Sequence, residues 1–291
     1  MLAAFALLRF VNYASAAFLF GASVMLAVVK PGKLAALAGA DMKVYLRGAA
    51  FAGALAAAGM LPVQAATIIG NWNASVDPDV LLTVALHTRY GLMWCLRVAA
   101  QAIVLAMLFS RFGKGRALAT VTGLALLPFA LSGHAAMEEG WPGGAHAVVD
   151  MIHCLSAGFW LGALPVFLYF LKQSRQPALR PDALGGLMMF STLGHIAVAV
   201  VLASGALNTW LILRTVGLDL AALYQRLLLL KALLVLSMVI VAVVNRYWWV
   251  PKIRARRADA MNRIRRNTLL EVAAGGAVLM LVAFLGLLSP Q

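Results

Sequence analysis

From Tyr224 to Val250 the chain reads YQRLLLLKALLVLSMVIVAVVNRYWWV, and from Pro251 to Arg266 it continues PKIRARRADAMNRIRR. The first stretch is almost wholly apolar and longer than the roughly 20 residues needed to cross a bilayer. The second carries seven basic residues and one acid, Asp259. Lipid offers no hydrogen bonds to a bare backbone, so an apolar run of this length must be a helix. The basic stretch then stops it at a membrane surface.

The same alternation of apolar run and short polar link extends in both directions. Eight runs qualify as transmembrane helices, at about 3–29, 44–69, 91–109, 116–133, 146–171, 186–213, 224–250 and 267–288. Over all 291 residues, 63% are hydrophobic and 12% charged, about half the charge of a soluble domain. The expectation is an all-α integral membrane protein of eight helices, a single domain over residues 1–291. The first run has no basic residues before it, and Lys30 and Lys33 follow it. It reads as a retained helix rather than a secretory signal. Cys95 and Cys154 both fall in apolar runs and imply no disulfide framework.

Charge orients the chain. The odd-numbered links hold 18 of the 24 basic residues against Asp41, Asp182 and Asp259. The even links hold Arg89, Arg214 and Arg226 against Asp77, Asp79, Glu138, Glu139 and Asp219. The positive-inside rule places the odd links in the cytoplasm and both termini in the periplasm. The net charge of +14 therefore reads as topology and attraction to anionic membrane lipids, with no nucleic acid involved.

The two halves resemble each other. Asn12–Ala22 aligns with His153–Ala163, with Ser15/Ser156, Ala16/Ala157, Phe18/Phe159, Gly21/Gly162 and Ala22/Ala163 identical. Tyr90 precedes Arg97, and Tyr224 precedes Lys231, each by seven residues. Repeat halves 1–133 and 146–288, of four helices each, predict a parallel duplication about an axis along the membrane normal.

Polar groups inside lipid are costly and need a reason. His146 and His153 lie two turns apart on one helix face, and His195 falls near the middle of the sixth run. His134 and Met137 stand in the fourth, outward link. Imidazole with thioether suits copper, although Met60, Met93 and Met151 also serve as helix filler. An interhelical hydrogen bond is the competing reading of His153 and His195. Arg9, Arg97 and Lys231 sit about two turns from the outer surface, where snorkelling explains them; pairing with Asp150 or attraction of an anion is the alternative. No Walker loop, Rossmann glycine pattern, nucleophile elbow or HExxH motif is present, so the chain does not read as an enzyme.

Several of these residues, in this order, resemble the copper resistance protein D (CopD/PcoD) family of bacterial inner-membrane proteins with its YebZ-type members. They are Gly133-His134 with Glu139-Gly140, His146, His153-x6-Trp160-x-Gly162, Phe190-Ser191-x3-His195, Ser204-Gly205-x2-Asn208, Leu228–Lys231 and Asn245-Arg246-Tyr247. The resemblance implies a multipass protein that handles or transports copper, with a separate periplasmic partner of the CopC type. It departs at Asn12, where relatives often carry histidine. The metal ligands expected are His134, Met137 and His146 at the outer face and His153 and His195 within the membrane, facing each other across the fifth and sixth helices. The rivals are a haem protein using His153 and His195 as axial ligands, and a non-transporting membrane partner of a periplasmic copper chaperone.

Overall fold

The computed structural model describes residues 1–111, 113–131, 140–253 and 257–288, with the backbone alone at 140–142 and 215. Two of the expected ligands, His134 and Met137, lie outside the described residues.

The described chain is helical, with no strand. Helices α1 (Leu2–Val28) and α2 (Lys33–Ile69) are separated by Lys30-Pro31-Gly32, because the residue before a proline disfavours helix. A short helix, α3 (Pro78–His87), follows in the second link. Asp77 accepts from the backbone N–H of Asp79 at 3.0 Å, and Pro78 begins the helix. Next come α4 (Arg89–Phe109), α5 (Gly115–Leu124), α6 (Leu127–Ala130), α7 (Gly140–Gln173), α8 (Arg180–Val216), α9 (Leu223–Val244) and α10 (Arg257–Leu285). Between α9 and α10 a π-helical turn, Asn245–Trp249, closes with the Val250 N–H donating to the Asn245 carbonyl at 3.0 Å.

Among the described residues seven helices are long and apolar enough to cross a membrane: α1, α2, α4, α7, α8, α9 and α10. The fourth apolar run differs from expectation. It folds as α5 and α6, broken at Ala125-Leu126. Pro128 has no N–H to give the carbonyl of Leu124, and the 16 residues from Gly115 to Ala130 rise only about 24 Å at 1.5 Å each. Helices α2 and α8, of 37 residues each, are longer than a bilayer needs and carry their basic first turns beyond it.

The basic ends meet at one end of the bundle. The Arg47 guanidinium donates to the Leu108 carbonyl and lies 4.3 Å from the Phe109 ring. Tyr169 donates to Asp41 at 2.8 Å, Arg175 to Asn262 at 3.0 Å, and Arg257 to the Ser174 carbonyl at 2.8 Å. The odd links therefore share a side, as their common charge requires.

Helices α1 and α7 form the centre, packed on each other and on α2 and α8 respectively. They run in the same direction and cross glycine on glycine. A Cβ on Gly162 would collide with the carbonyl of Ala17, and one on Gly21 with the backbone of Gly162 and Ala163. These are the two stretches that align in sequence. Without side chains at the crossing the backbones come within van der Waals contact, the usual adhesive of helices in lipid.

Candidate functional site

A 3.6-residue repeat puts His146, Asp150, His153 and Cys154 of α7 on one stripe. Helix α8 answers with Ser204, Gly205 and Asn208. Asn208 Nδ2 donates to Asp150 Oδ1 at 3.0 Å, and His153 Nδ1 lies 3.0 Å from Ser204 Oγ. A Cβ on Gly205 would stand 3.3 Å from His153 Cε1. The glycine thus gives the imidazole room to lie flat against α8. From α9, Lys231 comes within electrostatic reach of Asp150, His153 and Cys154, and Tyr224 within reach of Asp150. Lys231 is half-buried and acts on Asp150 through its charge, while the hydrogen-bond partner of Asp150 is Asn208.

The hydrogen bonds decide the imidazole's tautomer. The Ser204 hydroxyl donates its one proton to the Val200 carbonyl. Towards His153 it can only accept, so Nδ1 carries the proton and Nε2 carries the lone pair. His195 reaches the same state by another route. Its Nδ1 meets the Ser191 carbonyl of its own helix, which can only accept. Its Nε2 faces the Tyr247 hydroxyl at 3.5 Å, with the rings edge to face at 6.0 Å between centroids. An imidazole anchored through Nδ1–H, with its lone pair on Nε2, is one form in which histidine can bind metal.

His153 and His195 do not face each other, and that expectation is corrected. His153 packs at the level of Ser204, nine residues along α8 from His195, or about 13 Å. His195 is exposed on the flank of α8 and turned to the π-helical turn. Two side chains so placed do not bracket one iron, so the pairing required of axial haem ligands is absent. His146 is buried one turn from Asp150, which feels its charge. Among the described residues no group of three or more histidine, cysteine, aspartate or glutamate side chains converges as a metal cage. His146, His153 and His195 stand apart from one another along α7 and α8.

Among the described residues the first half holds no comparable site. Asn12, aligned with His153, is fully buried and donates to the Gly53 carbonyl at 2.9 Å. Arg97, expected to snorkel outward, is 4% exposed. Its guanidinium lies 4.6 Å from the Phe129 ring, and Nη1 meets Met60 Sδ at 3.7 Å. The aromatic face and the polarisable sulfur stabilise the charge inside, so the side chain need not reach for water. Met60, 1% exposed, is packing there rather than a ligand.

Sequence reasoning had Ser204, Gly205, Asn208 and Tyr247 only as parts of a resemblance. Their roles as anchor, space, carboxylate partner and cap of an imidazole become visible once α7, α8 and the π-helical turn are placed together. The i, i+1, i+4 spacing of Ser204-Gly205-x2-Asn208 was the available signal.

A bundle of apolar helices long enough to cross a membrane, with histidines on α7 and α8, defines a class, the polytopic membrane proteins. The chain belongs to the copper resistance protein D family. Residues 1–145 match the copper resistance protein D-like N-terminal domain, and residues 185–285 match copper resistance protein D. The chain is 32% identical to the inner membrane protein YebZ of Escherichia coli (strain K12) over 285 residues, 97% of each chain. It is 32% identical to copper resistance protein D of Pseudomonas syringae pv. tomato over 217 residues, 70% of each. It is 31% identical to the copper transport protein CutJ of Bacillus subtilis (strain 168) over 256 residues, 82% of this chain and 45% of CutJ. No solved structure matches.

Proposed function

We propose that this protein moves copper across the bacterial inner membrane. The observation that supports the proposal is the anchoring of His153 and His195 through Nδ1, to the Ser204 hydroxyl and the Ser191 carbonyl, which makes Nε2 the atom that would meet a metal, at His195 in exchange for the Tyr247 hydroxyl. His134 and Met137 would capture the ion at the outer face, received from a periplasmic partner of the CopC type. His146, His153 and His195 would then pass it inward. Spacings of about 10 Å between His146 and His153 and about 13 Å from there to His195 require a stepwise relay. In this reading both termini are periplasmic, α5 with α6 completes an eighth span, and the halves are parallel repeats that have diverged. The family names and the inner-membrane name of YebZ support the cargo and the compartment. A chaperone-recruiting protein that does not transport is separated from this one by flux.

The test is copper uptake by the purified protein in liposomes. His153→Ala and Ser204→Ala should both reduce uptake at matched protein amounts. Asn12→Ala, at the aligned position, should leave the rate of uptake per folded molecule unchanged. Unaltered uptake in both His153→Ala and His195→Ala would return these residues to interhelical hydrogen bonding.

A further inference from the structure

Glu271 of α10 takes no part in the imidazole line. It is 4% exposed, and its Oε1 has no hydrogen-bond partner among the described residues. It lies five residues beyond Arg266, about 7 Å into the membrane from the basic end of the bundle. The neighbours on its face are not apolar throughout. One turn towards the basic end, Asn267 donates through Nδ2 to Asn245 Oδ1 of the π-helical turn at 2.8 Å. Beyond that pair lie Asn262 and Arg263, which line a cavity of about 670 Å³ at the same end of the bundle. A broken polar path therefore runs from the aqueous cavity, past two amides, to a buried carboxyl.

A bare carboxylate in hydrocarbon is expensive, and it persists where it has a partner or a function. The elements packed on α10 are α1, α7, α9, the π-helical turn Asn245–Trp249 and the short 3-10 turn Pro251–Ile253. Their titratable groups are Arg9 and Tyr13 on α1, His146, Asp150, His153, Cys154, Tyr169 and Lys172 on α7, Tyr224, Arg226 and Lys231 on α9, and Arg246, Tyr247 and Lys252 on the two turns. Glu271 Oε1 meets none of them within hydrogen-bonding distance. With no cation among the described residues bonded to Oε1, the partner that a carboxylate in this place can recruit at least cost is a proton. The adjoining Asn267–Asn245 pair offers amide oxygens and N–H groups along which water-borne protons can arrive.

We propose that Glu271 is a proton-exchange site opened to the inner face through Asn267 and Asn245. On loading, a proton from the inner aqueous phase forms an O–H bond on the carboxylate; on release the bond breaks and the charge returns. The π-helical turn carries Asn245 against α10 and Tyr247 against His195. One element thus touches both the proton site and the innermost imidazole. In this way the proposal deepens the copper reading and rests on it for the coupling, but not for the site itself.

Infrared difference spectra of the purified protein in lipid nanodiscs, taken as pH is stepped, test the site without copper. Wild type should show a carboxylic-acid carbonyl band that Glu271→Gln removes, Glu271→Asp shifts, and Asp150→Asn leaves in place. Asn267→Leu should slow its exchange at least several-fold. In liposomes, Glu271→Gln should abolish the response of copper uptake to an imposed pH gradient, while His153→Ala removes uptake and keeps the band. A pH-dependent band unchanged in Glu271→Gln overturns the proposal. Should Glu271→Gln not fold, a band unshifted in Glu271→Asp overturns it equally. Absence of copper flux in wild type, with the band present and lost in Glu271→Gln, would overturn only the coupling to copper.

Discussion

Helices α4 and α9 follow aligned sequence, Tyr90-x6-Arg97 and Tyr224-x6-Lys231, yet they pack differently. Helix α4 lies along α2: Trp94 Nε1 donates to the Ala57 carbonyl at 2.7 Å, and Tyr90 to the Met60 carbonyl at 3.3 Å. Arg97 and Gln101 are sealed beneath it. Helix α9 leans on α10 instead and makes no comparable contact with α8. Only 6% of its most apolar window is buried, against 22% for α4. Pro62, inside α2, has no N–H for the Ala58 carbonyl and loosens the ladder beside the carbonyls that α4 engages. Helix α8 has no internal proline beyond its first turn. The first half is closed around a packed arginine. The second leaves Asp150, His153 and Lys231 along a seam. Similar stretches of sequence can thus pack in different ways.

The most damaging change should fall where the halves meet. Gly162→Val forces a branched side chain into the Ala17 carbonyl, so the helices must separate. Overpacking of this kind costs about 1–3 kcal/mol, and more where backbone blocks relaxation. We expect little folded protein from Gly162→Val and from Gly21→Val alike, read as abundance in the membrane and thermal midpoint in detergent. A normal midpoint in either would mean that α1 and α7 do not cross there.

Next in size is the contrast between the two cations. Arg97→Met should lower stability by about 1–2 kcal/mol through loss of the buried cation–aromatic contact, and it should leave uptake per folded molecule intact. Lys231→Met should do the opposite, keeping abundance near normal and changing copper uptake through the charge it presents to Asp150 and His153. Equal loss of abundance in both would erase the distinction between a sealed half and an open one.

The smallest effect is expected at Asn208→Ala, which removes the hydrogen bond to Asp150. Polar contacts between helices in lipid are worth about 0.6 kcal/mol on average, so the thermal midpoint should fall slightly. A double-mutant cycle with Asp150→Ala isolates the pair, and a coupling near zero would show that the seam is held by packing alone.

Much of the bundle was legible in one dimension. Hydrocarbon leaves the backbone no alternative to helix, so apolar length alone marked seven spans, and charge grouped the odd links that the structure brings to one end. The exception, at α5 and α6, turns on a proline whose effect depends on local backbone geometry. The short α3 passed as a link because its ten residues fall well below spanning length. Among the candidate ligands, His146, His153 and His195 were recognisable as polar residues in apolar surroundings, and the family pattern pointed to copper.

Their grouping was not legible. Periodicity gives the face on which His153 lies but not what faces it, because helix rotation and offset are set by contacts distant in sequence. Ser204, 51 residues away, orients His153, while Tyr247 and not His153 meets His195. Arg97 and Lys231 look alike along the chain and differ only through their neighbours, Phe129 and Met60 in one case, Asp150 and His153 in the other. Composition and spacing by themselves determined that the chain is a membrane helical bundle, which links lie together, and which residues are costly enough to need a purpose. The tertiary structure alone decided which of those residues share a site. A solvent that forbids unsatisfied backbone acts on every segment separately, whereas a side chain acquires its partner only when two helices dock.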